Sequence, residues 1–319
     1  MSINKKILLC FIALVVVGAV SITLLHRSPK YLEQQQQAQQ AQTVHSQDTK
    51  LPYDYLNNVI AQSGAACSVY YHSLENEDVF YNYSGKMPAG DMVRLYVAAG
   101  VLRQVEDKEL ALDEVYTLRE KDFRPDSPVL GKLPVGSRLT VRNLLEDMLL
   151  QNDATALYKL IWIAGREDLN SWLAKQGYAD TVIGIHQLPS GENGEDVLAP
   201  QEKRQLSYTS VNDLVNLLTR LYEGKCVSQK RDAYLVGLLR KQPGRDMLGA
   251  LLPKKTKIAG LQSDRGAVLG SAGIIYGKEK YVLAILMDKA VRPEESRKTI
   301  NQISSIIFNT VNDKEVFKK

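Results

Sequence analysis

Asp91 and Arg94 are the two ionisable residues in the run Pro88-Ala-Gly-Asp-Met-Val-Arg-Leu-Tyr-Val-Ala-Ala-Gly-Val101 that carry charge at neutral pH; their neighbours are small, apolar or aromatic. Met92, Leu95, Tyr96 and Ala99 recur at helical spacing, so the run reads as the start of a buried helix that Asp91 can cap. On such a helix a carboxylate and a guanidinium three positions apart meet across one turn. Arg94 stays protonated through the useful pH range and cannot act as a general base. Asp91 attacking an amide would leave a labile anhydride. The chemistry this pair favours is mutual neutralisation in a partly buried groove.

Other polar residues are weaker candidates. Asp153 precedes an apolar helical run, the place of an N-cap. His186, Glu192, Glu195 and Glu202 fall between Gly184 and Leu206, where Pro189, Gly191, Gly194 and Pro200 break any period; this reads as a long surface loop with solvated charges. Ser84 and Lys86 form a Ser-x-Lys after a strand, where the two side chains do not project together as they would on a helix. Ser207 and Ser263 lack a neighbouring base and read as turn or capping residues. Cys67 and Cys226 match no metal-ligand spacing, and the sequence leaves open one disulfide or two separate buried thiols. No metal and no cofactor is expected.

The elements that must position these residues follow from periodicity. Helices are expected at Pro52 to Ser63, from Leu139 to Met148 with Thr140 as cap, at Asp153 to Ile163, and at Asp168 to Gln176. Further helices are expected from Ser210, within a phrase resembling a capping box, through Leu221 to a stop at Gly224, and at about Gln229 to Arg240 and Ser296 to Thr310. Strands are expected at Ala66 to Ser73 and Val79 to Tyr83, paired as a hairpin, then at Thr256 to Ala259, Val268 to Tyr276 and Tyr281 to Met287. Leu112, Val115 and Leu118 should anchor the charged, Pro-containing stretch between Val101 and Leu139. Helix and strands at both ends around a helical middle imply one sheet built from distant parts of the chain.

Ile7 to Leu25 is an uncharged run of about 19 mostly apolar residues, enough to cross a hydrocarbon core of about 30 Å as a helix. With Lys5 and Lys6 before it, the run reads as a signal-anchor in preference to a cleaved signal peptide. The expected organisation is a cytoplasmic N-terminus at 1–6, a transmembrane anchor at 7–25, a Gln-rich linker at 26–51, a folded domain at 52–312 and a tail at 313–319. With 319 residues, 45% of them hydrophobic, the chain can bury a substantial core. Its net charge of +4 is not gathered in a dense basic block, so no nucleic-acid partner is expected.

Taken in order, Pro88 to Val101, Leu139 to Met148, Ser207-Tyr-Thr-Ser-Val-Asn-Asp-Leu214, Leu251-Leu-Pro253 and Ser271-Ala-Gly-Ile-Ile-Tyr-Gly277 resemble the class A β-lactamase and penicillin-binding serine hydrolase family across residues 52–312. The resemblance implies an α/β (α+β) fold of the β-lactamase/transpeptidase type, a mostly antiparallel sheet flanked by helices with a helical subdomain. It also implies a cleft lined by three motifs. The Ser-x-x-Lys positions hold Asp91 and Arg94. The Ser-Asp-Asn positions hold Asn152, Asp153 and Ala154. Lys-Thr-Gly falls at Ile258, Ala259 and Gly260, or in the alternative register at Lys255-Thr256-Lys257. These substitutions point to a membrane-anchored, extracytoplasmic domain that has lost acylation chemistry. It would bind a peptidoglycan peptide or a cell-envelope protein through a groove containing Asp91, Arg94, Asp153 and Gly260. The alternatives are an active β-lactamase or D-Ala-D-Ala carboxypeptidase using displaced residues, and a structural protein whose groove is filled by its own side chains.

Overall fold

A computed structural model describes residues 51–82, 85–185, 205–243 and 246–312. The expected anchor, most of the linker and the tail lie outside the described residues, as do Ser84, His186, Glu192, Glu195 and Glu202. Among the described residues no helix is long and apolar enough to cross a membrane.

Five strands form the main sheet: β1 (Ala66–Ser73), β2 (Val79–Asn82), β7 (Lys257–Arg265), β8 (Val268–Tyr276) and β9 (Lys280–Asp288). Their order is β2-β1-β9-β8-β7 with every neighbouring pair antiparallel. Pairing of Ala66 with Asp288 joins the two ends of the domain through β1 and β9. Two-stranded pairs β3 (Met87–Pro88) with β6 (Tyr208–Thr209), and β4 (Val115–Thr117) with β5 (Arg138–Thr140), lie outside it.

Apolar side chains cover both faces of the sheet. On one, α1 (Tyr53–Ala61) and α8 (Pro293–Asn312) contribute Leu56, Val59, Ile60, Ile300, Ile303 and Ile307 to a shared core with Leu283 and Ile285 of β9. On the other, α2 (Val93–Glu106) is buried along nearly all its length among α3 (Val141–Leu150), α4 (Ala154–Ala164), α5 (Arg166–Lys175), α6 (Val211–Glu223) and α7 (Gln229–Leu239). Such all-round burial is what a run of small and apolar residues specifies. The expected caps are present: Thr140 with Asn143 on α3, Ser210 on α6, and a left-handed Gly224 at the end of α6.

Several sequence expectations need correction. Asp91 does not cap α2. It lies in a 3-10 turn, Gly90–Met92, and the helix begins at Val93 with no side-chain cap, because the carboxylate is engaged by guanidinium groups instead. Strand β7 runs to Arg265, six residues past the expected end, since all nine of its residues pair with β8. Val115 is exposed, while Leu112 and Leu118 are buried as expected. Cys67 and Cys226 are free thiols in the two different cores.

Candidate functional site

The turn before α2 lies against β7. Gly90 has φ +51°, which strains most side chains, and a Cβ at that position would overlap Ser263 Oγ, so a side chain there would displace that hydroxyl. The close approach lets Ser263 Oγ accept from Asp91 N at 2.9 Å and donate to Asp91 Oδ2 at 3.3 Å.

Asp91 then receives two guanidinium groups. Arg94 reaches Oδ1 through Nε (3.1 Å) and Nη2 (3.0 Å). Arg265 donates from Nη2 to Oδ1 (2.8 Å) and from Nε to Oδ2 (3.1 Å). Arg94 also donates to the carbonyls of Met148, Asn152 and Asp153, which ties α2 to the α3–α4 turn. Arg265 extends outward through Nη1 to Asp126 Oδ2 at 2.9 Å. Asp91, Arg94 and Arg265 are 1%, 0% and 2% exposed, so this part of the network is closed to solvent, while Asp126 at its outer end is exposed.

Burial alone would raise the Asp91 pKa, but Arg94 and Arg265 outweigh it and hold the carboxyl at about 2. Arg265 is raised: burial opposes this, and Asp91 and Asp126 overcome it. Burial pulls Arg94 downward against the attraction of Asp91. Asp91 is therefore held ionised in a fixed ion cluster and is a poor proton acceptor near neutral pH.

The expected site residues are only partly brought together. Asn152, at φ +55°, offers its carbonyl to Arg94. Asp153 offers its own carbonyl to Arg94, while its carboxylate caps α4 through Ala156 N (3.0 Å) and accepts from Val129 N (3.1 Å) and Leu130 N (2.9 Å). Ala154 is the buried first residue of α4. The β7 residues hydrogen-bonded to Asp91 are Ser263 and Arg265, further along the chain than Ile258, Ala259 and Gly260 or Lys255-Thr256-Lys257. Gly260 pairs with Gly273, and a Cβ on it would lie 2.6 Å from Ala272 O, so it serves close strand packing. Ser263 is a buried strand residue, not a turn or cap.

Sequence reasoning missed Arg265 and Asp126. The available signal was strand alternation: Ser263 and Arg265 project to the same face. Above the sealed network, a pocket of about 420 Å³ is lined by Asp126, Ser127, Pro128, Gln151, Asn152 and Arg265. Among the described residues no group of three or more His, Cys, Asp or Glu is placed to hold a metal ion.

Comparison with solved structures finds the same fold at low identity. A beta-lactamase from Sphaerobacter thermophilus is similar with a TM-score of 0.72 and 20% identity, covering 81% of this chain and 97% of that one. PBP-A matches with a TM-score of 0.72 and 19% identity, over 82% of this chain and 97% of its own. A beta-lactamase from Chitinophaga pinensis matches with a TM-score of 0.71 and 21% identity, over 81% and 98%. Comparison with curated protein sequences finds no significant match. The sequence profile of the beta-lactamase enzyme family matches residues 51–311. By that match over most of its length, the chain belongs to the beta-lactamase enzyme family.

Proposed function

We propose that this chain is a non-acylating member of its family, anchored in the cell membrane by its N-terminal segment, that recognises a peptidoglycan peptide or a cell-envelope protein on the extracytoplasmic side. One observation carries the reading: Asp91 is clamped between the buried guanidiniums of Arg94 and Arg265. The position that corresponds to the family's nucleophile is thus occupied by a neutralised carboxylate, and the position of its lysine by a cation that accepts no proton. The pocket above it, with Asp126, Gln151 and Asn152 at its wall, offers polar groups for recognition without attack.

An active hydrolase with displaced residues draws little support. Ser263 touches Asp91, yet it is 1% exposed, and a carboxyl held at about 2 is a poor general base at neutral pH. Incubating the full-length chain with a fluorescent penicillin and a chromogenic cephalosporin tests the proposal. Neither a covalent label nor hydrolysis above the buffer rate is expected from protein that circular dichroism shows to be folded. A label on any residue, Ser263 included, would overturn the reading.

A further inference from the structure

Helix α4 carries two aromatic residues on its outer side. Leu157, Leu160, Ile161 and Ala164 turn into the core, which leaves Tyr158 and Trp162, four positions apart, as neighbours on the remaining surface. Trp162 is 59% exposed, and Ile185, 46% exposed, lines the same cavity of about 410 Å³. That volume is within the range of small-molecule sites. A Trp side chain presents about 150–250 Å² whose burial is stabilising, so its exposure beside a second apolar group in a concavity marks a surface that a ligand can cover.

The polar wall narrows what that ligand is. Lys159 donates to Asp122 at 2.6 Å in a largely buried pair, and Arg166 pairs with Glu167. Arg124 is oriented by the carbonyls of Lys121 and Phe123, at 2.7 and 2.9 Å. Cations already lie over both rings: Lys159 Nζ is 4.7 Å from the Trp162 ring centroid, and Arg124 Cζ is 4.9 Å from that of Tyr158. An ammonium ligand would meet them as like charges. The carboxylates of Asp122 and Glu167 oppose a phosphate in the same way, and a purely apolar occupant would strip water from these groups without replacing its hydrogen bonds. A saccharide meets every condition. Its hydroxyls both donate to carboxylates and accept from guanidiniums, while its C–H face lies on the electron-rich face of an aromatic ring.

We infer that this cavity binds a saccharide, with one sugar ring stacked on Trp162. The site uses no residue of the Asp91 network, so it stands independently of whether the chain acylates. Calorimetric titration of the full-length chain with chitotriose, cellotriose and maltotriose, three neutral trisaccharides that differ in linkage and N-acetylation, tests it. At least one should saturate at a Kd of about 1 mM or below. Binding should also shift tryptophan emission to the blue, a signal that reports Trp162 because the chain's other tryptophan, Trp172, is buried. Trp162→Ala should weaken binding about tenfold or more; Tyr55→Ala, which removes a comparably exposed ring from α1, should leave it within about twofold of the parent. Trp162→Phe keeps a ring and should retain part of the affinity, which separates stacking from a loss of fold. Saturation by one trisaccharide alone supports the site and identifies the linkage it prefers. No saturable binding of any of the three at millimolar concentration, or equal effects of Trp162→Ala and Tyr55→Ala, overturns it.

Discussion

Replacing Asp91 by Ala removes the carboxylate that two buried guanidiniums share, leaving Arg94 and Arg265 facing each other out of water. Breaking a buried pair from one side costs about 3–5 kcal/mol, so Asp91→Ala should lower the urea unfolding free energy by that amount. Arg265→Met should cost less. The neutral Asp91–Arg94 pair survives that change, and the partly exposed Asp126 is left with access to water. Finding the reverse order would mean that Arg94 alone does not neutralise Asp91. The same carboxyl sets a pH dependence. Its pKa falls from an ordinary 3.8 to about 2 on folding. Because the folded value is the lower one, the stabilisation is complete above about pH 4 and is lost as pH falls towards 2. The loss should be on the order of 2 kcal/mol in acid-unfolding curves, and Asp91→Asn should lack that component. An identical acid limb in parent and variant would contradict the clamp.

Asp153 acts on elements, not on chemistry: it caps α4 and holds the amides of Val129 and Leu130 from the facing segment. Asp153→Ala orphans those donors and should cost about 3 kcal/mol, a lost cap plus buried unpaired N–H groups. Asp153→Asn keeps one acceptor oxygen, for either the cap or the facing amides, and turns its NH2 on the other set of N–H donors, so it should recover only part of that stability in thermal unfolding. If the two variants lose equally, the oxygen contacts are not what holds the α3–α4 turn. Gly260→Ala should force β7 from β8, because the added carbon meets Ala272 O at 2.6 Å and Gly273 Cα at 3.0 Å. Overpacking of this kind costs about 1–3 kcal/mol, read as a lowered Tm. The helices were legible in the sequence because amphipathic periodicity and caps such as Thr140 and Ser210 are local signals. The length and register of β7 were not, since its pairing with β8 is decided by partners on another strand. Gly260 was placed in the sequence only through the third motif of the family resemblance; that β8 backbone packs closely on it is set by strand pairing. Asp91 and Arg94 were legible as an ion pair from their spacing. Arg265 was not, because an arginine next to a hairpin turn is exposed by default, and only the fold folds it back over α2.

At the scale of the molecule, α1 and α8 share one core on the sheet face opposite α2, and β1 pairs with β9 between them. The domain therefore closes only when segments from its two ends meet, and α8 belongs to that closure as much as the strands do. Ile300, Ile303, Ile307 and Phe308 of α8 are buried there. Burying each is worth about 1.5–3 kcal/mol, or about 6–12 kcal/mol for the four. That sum is comparable with the entire net stability of a domain, about 5–15 kcal/mol. A chain ending at residue 292 should consequently show no cooperative thermal transition and should be digested throughout by protease, including the helical region that α8 does not touch directly. The Asp91 network would go with it, because Ser263 and Arg265 are held in place by the pairing of β7 with β8, whose far face α8 covers. A truncated chain that still unfolds cooperatively would show that the helical half around α2 stands without the sheet's second core, and that the ion cluster is assembled locally.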